Sequence, residues 1–182
     1  MTNDTNQMEN LDDQYAEIMN DLADDEVLAT VNDDTPEADD VVEGGDESLS
    51  PRDMALIAAK AADERKATDI MVLEVGQLVD VTDYFVIVTA RNVPQVESIL
   101  DYVEECLRKQ AHIKPISRES TRDRSWEILD YGRFVVDVFQ PEAREYYRLE
   151  NLWGDAPMVD LAEAGITDPE YSERIAQLIG RA

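Results

Sequence analysis

Apolar positions along the chain change their period several times, and each change marks an element. At 11–22, Leu11, Tyr15, Ile18, Met19 and Leu22 recur at helical spacing inside an otherwise acidic run, which predicts a weak amphipathic helix. From Ser50 the pattern strengthens. Ser50 suits an N-cap, Pro51 the first helical position and Asp53 the first turn, and Met54, Ile57, Ala58 and Ala61 form a stripe to about Lys66. The spacing then falls to strand type in "DIMVLEV" (69–75) and in the nearly unbroken run "YFVIVTA" (84–90), which reads as a central strand. After Pro94, Val96, Ile99, Leu100, Val103 and Leu107 predict a second helix to about Lys109. "HIKPIS" (112–117) reads as a weaker strand, with Pro115 marking an edge, and 120–125 as a polar loop.

"WEILDY" and "FVVDVF" follow, joined at Gly132–Arg133 in a tight hairpin. Pro141 opens a third helix over 141–152, and a last helix is expected from Asp168–Pro169 to Ile179, with loop and one helical turn between. The folded order is α-β-β-α-β-β-β-α. The central strand, second helix and third strand suit a crossover unit, whereas the last two strands must be antiparallel. The fold class is therefore α/β, a mixed five-stranded sheet with flanking helices.

The hairpin poses the main question. Trp126, Ile128 and Asp130 alternate to one side, and Glu127, Leu129 and Tyr131 to the other; Phe134, Val136 and Val138 oppose Val135, Asp137 and Phe139 in the next strand. Both faces are thus apolar. Either the protein's own helices cover both, and Trp126, Tyr131 and Phe139 are core, or a partner completes one of them. Tyr147 and Trp153 are expected to pack the third helix onto the sheet.

Charge then divides the chain. The formal net charge is −26, and the first 50 residues hold 17 acids and no Lys or Arg. Residues 1–49 are expected to be a largely disordered arm, 50–155 the domain, and 156–182 an extension with a short helix. Such acidity suits solubility, disfavours contact with bare nucleic acid, and favours a partner with a basic face. One Cys, Cys106, excludes an internal disulfide; no run is long enough to span a membrane, and the N-terminus has no secretory or transit pattern, so a bacterial cytoplasm is the expected address.

Chemistry is sparse. No glycine-rich phosphate loop, nucleophile elbow or dinucleotide fingerprint is present. His112 and Cys106 read as structural residues. Asp83, Asp130 and Asp137 are the carboxylates that a metal-dependent nucleotidyltransferase would use, but the basic or glycine-rich phosphate holders it needs cannot be placed. No cofactor, metal or catalytic residue is expected.

"KATDIMVLEVGQLVDVTDYFVIVTARNVPQVESI" and "WEILDYGRFVVDVFQPEAREYYRLENLW" together resemble the Iojap family, the ribosomal silencing factors, over 51–155. Two positions depart from its pattern: Asp137 stands where the family usually has His, and Glu119–Ser120 where it usually has Glu-Gly. The resemblance implies a nucleotidyltransferase-like fold without that active site. It also implies a non-enzymatic role: binding the large ribosomal subunit through protein uL14 and blocking subunit joining when nutrients are scarce. On that expectation, Trp126, Leu129, Tyr131 and Phe139 form the contact face, with Asp83, Asp130 and Glu150 meeting basic residues of the partner. A homodimer closed by the same aromatic face is a further reading.

Overall fold

The computed structural model describes residues 13–14, 16–20, the backbone of 28–30, and 49–180. Leu11, Tyr15, Leu22 and most of the arm expected to be disordered lie outside the described residues. Helix α1 comprises the helical residues at 13–20. The remaining elements are β1 (Leu28–Thr30), α2 (Pro51–Glu64), β2 (Thr68–Glu74), β3 (Tyr84–Thr89), α3 (Val93–Gln110), β4 (Ser117–Thr121), β5 (Trp126–Asp130), β6 (Phe134–Phe139), α4 (Pro141–Tyr147), α5 (Leu149–Leu152), a 3₁₀ turn (Leu161–Ala164) and α6 (Glu173–Ile179).

The two long helices start where their caps dictate. The Ser50 hydroxyl accepts from the Asp53 amide at 3.1 Å, and the Asp53 carboxylate accepts from the Ser50 amide at 2.9 Å, a reciprocal pair that satisfies two otherwise orphaned donors. In α3 the Asn92 side chain accepts from the Gln95 amide at 3.0 Å. The buried side of α2 is mostly Ala55, Ala58, Ala59, Ala61 and Ala62, so its backbone can approach the sheet closely. The buried side of α3 is Val96, Ile99, Leu100, Val103 and Leu107.

The sheet is mixed and runs β1-β4-β5-β6-β3-β2. Only β3 and β6 are parallel; every other neighbouring pair is antiparallel. The crossover through α3 therefore does not place the next strand beside β3. The chain passes to β4, and the β4-β5-β6 meander brings β6 back against β3. Strand β4 spans 117–121, not 112–117. Its residues, Ser-Arg-Glu-Ser-Thr, carry no apolar alternation, and hydrogen bonds to β5 on one side and β1 on the other hold it in the sheet. The sixth strand, β1, comes from the acidic arm.

The expected 141–152 helix is broken at Arg148, which takes a left-handed φ of 46°. The break has a cause. Arg144 and Glu150 are six residues apart and would diverge on one straight helix. Turned inward by the break, the Arg144 Nε donates to Glu150 at 2.9 Å, while its Nη atoms donate to Thr89 Oγ1 and the Asp69 carbonyl, each at 3.1 Å. The final helix starts at Glu173 rather than at 168–169, because 170–172, like 157–159, runs along β2 instead. Val159 donates to the Val72 carbonyl at 2.8 Å, Glu74 to that of Pro157 at 2.9 Å, and Asp69 to that of Glu170 at 2.9 Å.

Two apolar clusters sandwich the sheet. The first joins Leu129, Tyr131, Phe134, Val136 and Val138 to α2 and α3. The second joins Trp126, Ile128, Val135 and Phe139 to Ala143, Leu149, Trp153 and Ile175, with Ile18 and Met19 of α1 and Leu178 and Ile179 of α6 packed against it. The alternation read from the sequence is the one observed, and helices lie on both faces.

Candidate functional site

The aromatic contact face is corrected by this packing. Trp126 is 1% exposed, Phe139 and Leu129 0%, and Tyr131 8%. They also do not share a surface: Trp126 and Phe139 point into the second cluster, and Leu129 and Tyr131 into the first. Trp126 stacks on Phe139 at 4.7 Å and meets Tyr147 at 4.8 Å, while Tyr131 stacks on Phe134 at 4.7 Å. Trp153 stacks on Phe85 at 5.3 Å, so Tyr147 and Trp153 pack α4 and α5 onto the sheet as expected. Burial of these rings is favourable at roughly 1.5–3 kcal/mol each, and the protein's own helices supply it. The homodimer reading loses its surface for the same reason.

Glu150 is corrected too. It is buried between Arg144 and the Arg174 Nη1, 2.5 Å from its Oε1, so it neutralises internal cations rather than a partner's. Asp137 is fully buried on the second face, where Trp126 Nε1 donates to it at 3.0 Å. Burial, partly opposed by that hydrogen bond, pushes its carboxyl up to about 7. Asp83, Asp130 and Asp137 thus have separate local partners, and among the described residues no group of three or more His, Cys, Asp or Glu side chains is placed to hold a metal ion.

Two of the predicted residues, Asp83 and Asp130, are half-buried and lie at the same end of the sheet. The turn between β5 and β6 is closed by the Tyr131 amide donating to the Phe134 carbonyl at 3.0 Å. Gly132 there has a φ of 80°, which a side chain would strain. The Asp130 carboxylate accepts from the Gly132 amide at 2.7 Å, and the Ile116 amide donates to the Asp130 carbonyl at 2.6 Å. Next to it the Asp83 amide donates to the Arg133 carbonyl at 3.1 Å, and the two side chains form an ion pair. Asp83 also lies against Gly76, where an added Cβ would come within 2.8 Å of the Asp83 carboxylate.

This hairpin rim carries two of the large apolar side chains left most exposed among the described residues, Ile116 at 74% and Val81 at 60%. The sequence reading missed both. A single apolar residue between polar neighbours is a faint signal, though Val81 in "VDVTD" and Ile116 after Pro115 each stand where no face periodicity calls for them. A third, Tyr146 at 80%, projects from α4. His112 stands exposed at the left-handed end of α3, and Cys106 is half-buried with its thiol pushed up by burial, neither beside the rim's acids.

Residues 48–177 match the family model described as "Ribosomal silencing factor during starvation". The chain belongs to the ribosomal silencing factor family. The match takes in 156–177, in keeping with the tail's place along β2 and in both clusters, so the family's likeness extends past residue 155. Over 129 residues the chain is 40% identical to the maize (Zea mays) "Protein Iojap, chloroplastic", covering 71% of this chain and 53% of that one. The chain thus spans about half the length of the maize relative. Over 113 residues it is 34% identical to the ribosomal silencing factor of Bacillus subtilis, covering 62% of this chain and 95% of the relative. A solved structure from Bacillus halodurans superposes with a TM-score of 0.52 at 28% identity, over 60% of this chain and 98% of that one. A crystal structure of a Chromobacterium violaceum protein gives 0.55 at 25% identity, over 58% and 88%. Both solved structures share the α/β domain. No helix among the described residues is long and apolar enough to cross a membrane.

Proposed function

We propose that this member of the family is a non-enzymatic translation repressor. It binds the large ribosomal subunit through protein uL14 and blocks subunit joining by occupying the surface that the small subunit needs, when nutrients are limiting. Family membership supports the ribosomal role. The observation that carries the choice of surface is the hairpin rim, where Ile116 and Val81 are exposed beside the carboxylates of Asp83 and Asp130.

The physical logic is one of charge and fit. A protein of net charge −26 is repelled by the phosphates of ribosomal RNA and drawn to the basic proteins set among them. Once there, two exposed aliphatic side chains supply desolvation, and Asp83 and Asp130 offer acceptors to Lys or Arg. Arg133 is largely exposed and can exchange its ion pair with Asp83 for contacts across the interface. Repression then needs no chemistry, because two bodies cannot occupy one bridge surface.

The test is sedimentation of the purified protein with isolated large subunits, paired with light-scattering measurement of subunit reassociation. The expected result is co-sedimentation with large but not small subunits, and reassociation that falls as the protein is added. Free reassociation at saturating protein would refute the repressor role.

A further inference from the structure

The second face of the sheet hides one carboxyl that the hairpin rim does not use. Asp137 lies inside β6, paired with Ile128 of β5 on one side and Ile87 of β3 on the other, and is fully buried. Its Oδ1 accepts from Trp126 Nε1 at 3.0 Å, and among the described residues its Oδ2 meets no donor. A buried carboxylate needs several donors to replace water. One indole N–H serves a neutral acid but leaves an anion uncompensated.

Over this pair lies a helix with a joint at each end. Helix α4 has seven residues; Pro141 opens it, and Arg148 at φ 46° closes it. It sets Ala143 and Tyr147 on the second cluster, with the Tyr147 ring 4.8 Å from Trp126 and 6.3 Å from Phe139. The other elements packed there bring apolar groups, Ile18 and Met19 from α1 and Ile175 from α6. Several charges act on Asp137. Burial, the largest influence, favours the neutral acid; the Trp126 hydrogen bond and Arg144 of α4 favour the anion; Asp130 of β5 and Glu119 of β4 oppose it. Arg144 is itself committed to Glu150, Thr89 and the Asp69 carbonyl, so turning to Asp137 would dismantle that network.

We infer that Asp137 and Trp126 form a proton-operated latch beneath α4: the neutral acid holds the indole and keeps the helix seated, and loss of its proton loosens α4 from the sheet. While α4 is seated, the acid keeps its proton up to about pH 7; once α4 lifts and water enters, the acid releases it from an ordinary value of 3.8. Opening is thus favoured tenfold by each pH unit between these values and no further above them. Asp sets the direction, because a histidine at this place would be charged at low pH and reverse it. Tyr146, 80% exposed, rides on α4, so the latch also sets how firmly that ring is presented. The latch is independent of where the protein docks.

Hydrogen exchange of the full chain, corrected for the intrinsic effect of pH, tests this at the amides of 144–148 against those of 100–107 in α3. Protection at 144–148 should lie at least tenfold below that in α3, fall roughly tenfold per unit from pH 5 to 7, and level off above. The Trp126 indole N–H should follow the same course. Asp137→Asn should lose most of the slope, and Asp137→His should reverse its sign. Protection that stays flat from pH 5 to 7 in the wild type would overturn the latch without recourse to any variant. Equal protection in the two helices would overturn it as well, because α4 would then open only with the whole domain. A slope retained in Asp137→Asn, or unchanged in sign in Asp137→His, would overturn the role of Asp137 by assigning the titration to another group.

Discussion

The two ends of the chain cover the two edges of one sheet by different means. Along β2 the tail is joined to the domain by backbone hydrogen bonds at Val72, Glu74 and Asp69, by Tyr171 donating to the Ile70 carbonyl at 3.1 Å, and by the Ser172 amide donating to the Asp69 carboxylate at 2.6 Å. Ile175 is fully buried, and Arg174 closes the ion network on Glu150. Along β4 the described residues of the arm include a three-residue strand and the half-buried Ile18 and Met19. A cover anchored by a fully buried side chain opens only with the domain, whereas one seated by a short ladder and half-buried side chains opens at lower free energy.

Substitutions separate these cases, and the largest effect falls on the sheet face that both covers share. Trp126→Ala should cost about 3–5 kcal/mol in chemical denaturation, because it removes a buried ring stacked on Phe139 and strips Asp137 of its donor. A loss under about 1 kcal/mol would mean that the face is not core. Ile175→Ala in the tail should cost about 2–5 kcal/mol and unfold cooperatively with the domain, whereas Ile18→Ala in the arm should cost less than about 1 kcal/mol and leave the main transition in place. Equal costs would erase the distinction between the covers.

Asp137 adds a pH dependence to the same face. Its carboxyl sits at about 7 in the folded protein, above the ordinary 3.8 of an unfolded Asp. Between these values the folded state holds a proton that the unfolded state releases. Stability is therefore greatest below about pH 4 for this group and falls as pH rises to about 7, by about 1.4 kcal/mol per unit. Asp137→Asn can still accept from Trp126 and should flatten that slope, read by urea midpoints from pH 5 to 8. A wild type and variant with parallel profiles would show that the carboxyl is not desolvated.

Much of this was legible in the residues. The cap at Ser50, the stripe of α3, the strands at 69–75 and 84–90 and the alternation of the β5–β6 hairpin follow from local chemistry. Strand β4 was placed too early because it is polar, and the ladder that makes it a strand is long-range. The break at Arg148 was hidden because its cause is a buried pair between Arg144 and Glu150. The aromatic residues misled for a related reason: alternation shows that two faces are apolar, but whether a partner or the protein's own ends cover them depends on segments far away in sequence. Ile116 and Val81 escaped notice because an isolated exposed aliphatic residue has no period to reveal it.

The claim that docking depends on the hairpin rim rather than the aromatic core is tested most directly by Val81→Asp with Ile116→Asp. Both side chains face solvent, so the double variant should keep native circular dichroism and its unfolding midpoint. It should also lose co-sedimentation with large ribosomal subunits. A folded double variant that sediments with large subunits as fully as the wild type would contradict the account.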